Sequence, residues 1–306
     1  MHTHHRTLRR TTAFTAMTVL GIAALAGCST PDADSPAAGE SDLFDQSIAD
    51  MLPDDIVEAG EITVASGPGY PPILDLAEDG ATLSGSQPEE VRLLGEVLGV
   101  DIVFEDIKFD ALFPALESER VDMAAAALGV TAERLATVDF VGDFEGGTTL
   151  LVPGGNPEDI SIATLCGHVA GVLKGSTEEV VTLPTWNDAC ADADEPAIEI
   201  STFPTAADAV LALSSGRVEA TVTALPPAVY QESVSEGELE ALGENFEPTP
   251  WGLAFPKGSE LTEAIAAALQ KLMDEGVYLE NLERFGVEVG AIDEPMIFTD
   301  PSQSEY

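Results

Sequence analysis

The sequence predicts an α/β protein built as two lobes. Three observations carry this. From residue 61 short β-rich runs alternate with helical ones, the alternation begins afresh after PGGNPED at 153–159, and the periodic part closes on two helical segments.

The first block opens with EITVASG (61–67), a strand running into the Gly/Pro turn GPGYPP. VRLLGEVLG (91–99) spaces its apolar residues as a helix does and stops on Gly99. VDIVFED (100–106) alternates as a strand. DALFPALESER (110–120) is helical, with Pro114 early enough to be tolerated. VDMAAAALG (121–129) reads as a buried strand, followed by a helix capped by Thr131 and the strand TTLLV (148–152).

The second block repeats the theme. VAGVLKG (169–175), AIEISTF (197–203) and VEATVTAL (218–225) are strands. STEEVVTL (176–183) and TAADAVLALSSG (205–216) are the helices between them, and PPAVYQESV (226–234) starts another. Trp186 falls in a predicted loop. WGLAFPKG (251–258) is a last strand before LTEAIAAALQKLMDEG (261–276) and YLENLERFG (278–286). The tail, 287–306, carries no periodic signal and is either a loose extension or a strap on the surface.

The N-terminus is a processing signal. Arg6, Arg9 and Arg10 form a basic region ahead of the apolar run AFTAMTVLGIAALAG, which is too short to span a bilayer. It ends in LAGC, which resembles the bacterial lipobox. Cys28 would then be the lipidated first residue, with 1–27 removed and the chain anchored on the outer face of the membrane by lipid alone. The alternative is an ordinary cleaved signal with an incidental cysteine. Residues 28–43 are Ser-, Pro-, Ala- and acid-rich and read as a flexible tether.

Charge excludes several partners. The chain has 12 Lys+Arg against 55 Asp+Glu, a net charge of −43, so nucleic acid and anionic membrane surfaces are not expected to bind. The acids are interspersed through periodic segments, as on a solvated surface. Beyond the leader only His168 remains, which leaves almost no material for a zinc site or histidine catalysis, and no metal or cofactor is expected. Cys166 and Cys190 are an even pair in an exported chain. They form either a disulfide closing about 25 residues, worth roughly 3–4 kcal/mol, or two buried thiols.

Arg134 is the odd residue. It lies in GVTAER, in the first turn of a helix, where the dipole favours anions, so it needs a partner. Gly175, Ser176 and Thr177 offer a complementary anion site. Glycine allows close approach, and hydroxyls with free N–H groups at a helix start bind anions, although Ser176 with Glu179 also reads as a plain capping box.

Six stretches in register resemble one family: GEITVASGPGYPP, FDALFPALESERVDMAAA, GVTAERLATVDF, LCGHVAGVLKGSTEE, LALSSGRVEA and WGLAFPKGSELTEAIAAALQKLMDEGVYLENLERFG. They are similar to the type II periplasmic binding proteins, in the amino-acid class that feeds ABC importers, and the paired cysteines resemble an actinobacterial branch. The resemblance implies lobe 1 at 53–149 and 254–290, lobe 2 at 150–253 with crossovers near Leu150–Pro153 and Pro248–Leu253, and an extension at 291–306. It implies a monomer that hands its ligand to a permease.

It also implies roles. Arg134 would anchor a ligand carboxylate with Gly175, Ser176 and Thr177, while Tyr70 and Phe109 would flank the ligand and Trp251 could cover the cleft. Three departures concern a ligand's positive charge. Ala224 stands where the family has an ammonium-binding aspartate, Gly129 where it has a hydroxyl, and Gly67 where binders of basic amino acids have an acid. The expected ligand is therefore a carboxylate without a free α-ammonium, or with its cation held by Tyr70 and Phe109. The competing expectation is an ordinary amino acid whose ammonium meets a carbonyl near Ala127 or another acid. Two rival functions are a ligand sensor without an importer and, on the same fold, a dehydratase-like enzyme. The reading adopted is a binding protein, not an enzyme.

Overall fold

A computed structural model describes residues 41–243 and 246–304. The leader, Cys28 and most of the tether lie outside the described residues. The end of the tether is already packed: Ser41 Oγ donates to Glu96 at 2.8 Å, and Leu43 sits against the core.

The chain runs α1 (Gln46–Ala49), α2 (Asp54–Ala59), β1 (Glu61–Ser66), a small hairpin of β2 (Asp75–Leu76) and β3 (Leu83–Ser84), then α3 (Ser86–Leu98) and β4 (Asp101–Asp106). Next come α4 (Leu112–Glu117), β5 (Met123–Gly129), the single turn α5 (Ala132–Leu135) and the long β6 (Val138–Pro153). The second half holds β7 (Val169–Leu173), α6 (Leu183–Asp192), β8 (Glu199–Phe203), α7 (Ala206–Ser214), β9 (Ala220–Ala224), α8 (Leu225–Val234) and β10 (Leu239–Ala241). It closes with β11 (Phe246–Pro256), α9 (Leu261–Asp274), α10 (Val277–Phe285) and β12 (Met296–Phe298).

The strands follow the order β4-β1-β5-β11-β6-β9-β7-β8. β1 is parallel to β4 and β5, and β7 is parallel to β8 and β9, as β-α-β crossovers require. The two long strands β6 and β11 lie antiparallel between these groups and connect them. The result is a two-lobed α/β molecule. Ile62, Val64, Leu94, Met123, Leu128, Phe140, Phe255 and Leu269 belong to one large core. The other lobe divides its core into a cluster around Leu150, Val172, Leu183 and Val222 and another around Leu151, Leu213, Val218 and Leu239.

Where β6 crosses, Gly146 faces Trp251. A Cβ there would lie 2.0 Å from the indole, so only glycine lets the two strands meet with that ring between them. Trp251 also stacks on Phe144, ring centroids 5.4 Å apart.

Three elements differ from expectation, and the tail takes one of its two expected forms. β6 is far longer than TTLLV. Trp186 is not in a loop but buried on α6, because Pro184 occupies the first turn, where its missing N–H costs nothing. STEEVVTL opens as π-helix over Glu178–Thr182 before α6 begins. The tail is a strap, since Met296–Phe298 pairs with Phe140–Gly142 of β6. Cys166 and Cys190 are disulfide-bonded, with Cα atoms 5.7 Å apart. No helix among the described residues is long and apolar enough to cross a membrane.

Candidate functional site

The two lobes are joined at Arg134. Thr131 caps α5 with its hydroxyl accepting from Arg134 N at 3.2 Å, which fixes the single turn that carries the arginine. The side chain then turns inward, 7% exposed, with its guanidinium 4.9 Å from the Phe113 ring centre. Nη1 donates to Gly129 O at 2.6 Å and to Thr177 Oγ1 at 3.2 Å, and Nη2 donates to Gly175 O at 2.9 Å. Arg134 therefore bridges β5 of one lobe and the start of the π-helix of the other. Burial brings its pKa down to about 10, against the opposing pull of Glu178 and Glu133, so it stays charged near neutrality.

Gly129 has a clear steric cause. A Cβ at this position would lie 2.5 Å from Thr177 Oγ1. The space a side chain at 129 would need is occupied by the Thr177 hydroxyl, reaching across from the other lobe. Gly175 holds a φ of 81°, which a side chain would strain, and its N–H donates to the Glu179 carboxylate. Ser176 Oγ accepts from Glu179 N at 3.3 Å. The capping reading of Ser176 and Glu179 is thus realised in this turn, where the Gly175 N–H is taken up by Glu179 and the Ser176 N–H by Leu173 O.

A cavity of about 290 Å³ lies beside this bridge, near the lower end of the roughly 300–1,000 Å³ usual for small-molecule sites. Tyr70, Phe109, Ala127, Ser176, Thr177, Glu178 and Trp251 line it, with the exposed Asp106 and Lys108 also in its wall. Arg134 touches this wall through Thr177. Ala224 does not line it. Its methyl is buried in the large core, and its N–H donates to the Tyr70 hydroxyl at 3.2 Å. That hydroxyl lies 3.4 Å from Thr223 Oγ1, and burial with the facing Glu178 pushes the phenol well above its ordinary pKa.

Ala127 stands out in the backbone. Its φ is 51°, a strained conformation for alanine that recurs at ligand sites. Gln87 holds it, accepting from Ala127 N at 2.8 Å while donating to Asp143 Oδ2 at 2.6 Å. Asp143 and Glu90 are buried together, and burial pushes both carboxyls upward.

The residue that sequence reasoning missed is Glu178. It is 8% exposed, and burial raises its pKa against hydrogen bonding at the helix start, the Ser176 hydroxyl and the charge of Arg134. His168 is not among the residues lining the cavity and pairs with Glu219 at 3.2 Å. No group of three or more metal-ligating side chains occurs among the described residues.

Comparison with known proteins gives this geometry its context. The chain is 28% identical to the arginine-binding protein ArgT of Corynebacterium glutamicum over 271 residues, 86% of this chain and 88% of that one. It is 26% identical to the L-cystine-binding protein TcyJ of Escherichia coli, over 76% of this chain and 86% of that one. The solved structure of an ancestral arginine-binding protein bound to arginine is similar at a TM-score of 0.67 and 31% identity, covering 74% of this chain and 98% of that one. Residues 62–288 match the bacterial extracellular solute-binding proteins, family 3. The chain belongs to that family, and its place is periplasmic or extracellular.

Proposed function

We propose that the chain captures a small carboxylate, an amino acid or amino-acid derivative, between its two lobes and delivers it to an ABC permease. One observation carries this reading: a buried guanidinium bridges the two lobes and spends its donors on two carbonyls and a hydroxyl. All three are neutral acceptors. A carboxylate is a stronger partner for a guanidinium than any of them, so a ligand that supplies one competes well for Arg134 and ties the lobes together. Tyr70 and Phe109 then flank the rest of the ligand.

The relatives named above bind arginine and cystine, both α-amino acids, and that chemistry suits the same anchor. Lobe 1 comprises 53–149 and 254–290 and lobe 2 comprises 150–253, with β6 and β11 as the hinge and 291–306 as the extension. The domain acts as a monomer. A lipid on Cys28, after removal of 1–27, holds it at the outer face of the membrane by the 28–43 tether, without contact to nucleic acid and without catalysis.

Calorimetric titration with L-arginine and with L-argininamide, which lacks the carboxylate, tests the anchor. The amide is expected to bind at least tenfold more weakly, and Arg134→Ala should weaken arginine by a comparable factor. Equal affinity of the two compounds, or arginine binding that survives Arg134→Ala, removes the carboxylate assignment.

A further inference from the structure

Glu178 occupies an unusual position. It is a lining residue of the cavity of about 290 Å³, of a neighbouring one of about 180 Å³ beyond Tyr70, and of a crevice by Thr148, Thr249 and Trp251. It is a buried carboxylate common to all three spaces. Among the described residues no Lys or Arg forms an ion pair with it, and Arg134 acts on it only through its charge. The other titratable residues lining these spaces are Tyr70, the half-buried Asp75 and the exposed Asp106 and Lys108.

A buried carboxylate with a hydroxyl and a more distant guanidinium for company is under-compensated. It can take up a proton, or it can be met by a cation from the cleft. The lining of the cavities gives a cation access to it. The preceding residue, Thr177, accepts from Arg134, so Glu178 stands one residue from the contact that carries the guanidinium. A molecule carrying both charges fits this pair without an acid on β9. The π-helical turn of Glu178–Thr182 begins at this residue, while the neighbouring Glu179 is spent on Gly175 N.

We propose that Glu178 accepts a cationic nitrogen of the ligand, which makes the site specific for carboxylates that also carry a positive charge. The missing acid at Ala224 is then replaced from the other lobe 2 element that borders the cleft. This rests on the carboxylate reading of Arg134. The cation can be an α-ammonium or a side-chain guanidinium, and four probes separate the two. L-Arginine carries both, L-citrulline only the ammonium, Nα-acetyl-L-arginine only the guanidinium, and Nα-acetyl-L-citrulline neither.

The four are titrated into the wild-type chain and into Glu178→Gln, which keeps the size of the side chain. Glu178→Asp serves as a second variant, and unfolding midpoints are recorded for each. The expected result is a loss of roughly 10–100-fold for the probes carrying the recognised cation, partial rescue by Glu178→Asp, and less than threefold change for Nα-acetyl-L-citrulline. A loss confined to L-arginine and L-citrulline identifies the ammonium, and one confined to L-arginine and Nα-acetyl-L-arginine identifies the guanidinium. If all four probes keep their affinity within threefold in Glu178→Gln, or all lose it equally, the proposal is overturned while the Arg134 reading stands. If none of the four binds the wild-type chain at millimolar concentration, the Arg134 reading fails and takes this assignment with it.

Discussion

The two lobes bury acid in different settings. In the first lobe Glu90 and Asp143 sit together inside a large core, held by Gln87, and no cation pairs with them among the described residues. In the second, Glu178 is buried at the edge of a smaller, divided core, facing open space and the charge of Arg134. The difference separates a structural use of buried carboxyls from a recognition use. Asp143, beside Glu90, fixes the Gln87 side chain and through it the strained Ala127 of the cleft wall. A single carboxylate on a cavity wall is left for what enters.

The lobes also differ in how they are held. The first returns α9 and α10 to its core and adds β12 as a strap, whereas the second is closed by a disulfide between cysteines separated by 24 positions. The largest expected effect follows. Cys166→Ser with Cys190→Ser should lower stability by roughly 3 kcal/mol on the chain-entropy account, with the loss concentrated in the second lobe. Hydrogen exchange on the double variant checks it. Protection should fall in β7, β8 and α6 and persist in β1 and β5, and equal loss in both lobes would break the comparison.

Asp143→Ala comes next. It strands the Gln87 amide and leaves a cavity, so a loss of about 2–3 kcal/mol is expected by chemical denaturation. Glu178→Gln should change stability by less than about 1 kcal/mol, because replacing an under-compensated buried charge by a polar isostere is often neutral. Similar losses in both variants would mean that Glu178 is structural too.

The pH response should separate the two uses further. Burial raises both carboxyls of the Glu90–Asp143 pair, and the charge of Asp143 raises Glu90 again. The folded protein thus holds more protons than the unfolded chain above the ordinary carboxylate pKa of about 4, and stability falls as pH rises. The contribution is complete below that value and is lost as pH climbs through the raised pKa values, at up to about 1.4 kcal/mol per pH unit for each proton. Asp143→Asn should flatten the slope in urea titrations repeated across pH 4–7. Glu178 is raised as well, so binding of a cationic ligand should strengthen as the pH rises and Glu178 gives up its proton. Affinity and stability would then move in opposite directions.

Much of this was legible in the residues. The alternating strands and the helix capped by Thr131 follow from local pattern; that pattern alone leaves Arg134 open between a surface ion pair and an inward anchor, and only the family resemblance favours the second. β6 did not follow from pattern, because Asp139, Gly142, Asp143 and the 145–147 stretch break the apolar alternation. The structure shows why they are tolerated: Asp139 accepts from Gly258 N at 2.6 Å and pairs with Lys257, while Gly146 makes room for Trp251. Glu178 was hidden for a different reason. In GSTEE two acids stand side by side at a helix start, where both are comfortable, and nothing local states which one turns toward the cleft. That depends on the π-helical turn and on the opposite lobe, neither of which leaves a periodic trace.

The smallest expected effect tests whether the bridge at Arg134, and not the rim, holds the lobes together. Lys174 Nζ lies 2.9 Å from Asp110 Oδ2, joining the lobes beside the cavity, with side chains 58% and 41% exposed. Solvent and salt screen such a pair, and ordering two mobile side chains offsets most of its attraction. Lys174→Ala should therefore change affinity for L-arginine by less than threefold, and raising the salt concentration should remove even that difference. Arg134, buried against the Phe113 ring, has no such screening, and its contribution should persist in high salt. A salt-resistant loss of tenfold or more in Lys174→Ala would move the lobe contact from the base of the cleft to its edge, and would make the exposed pair, not the guanidinium, the element that selects the closed form.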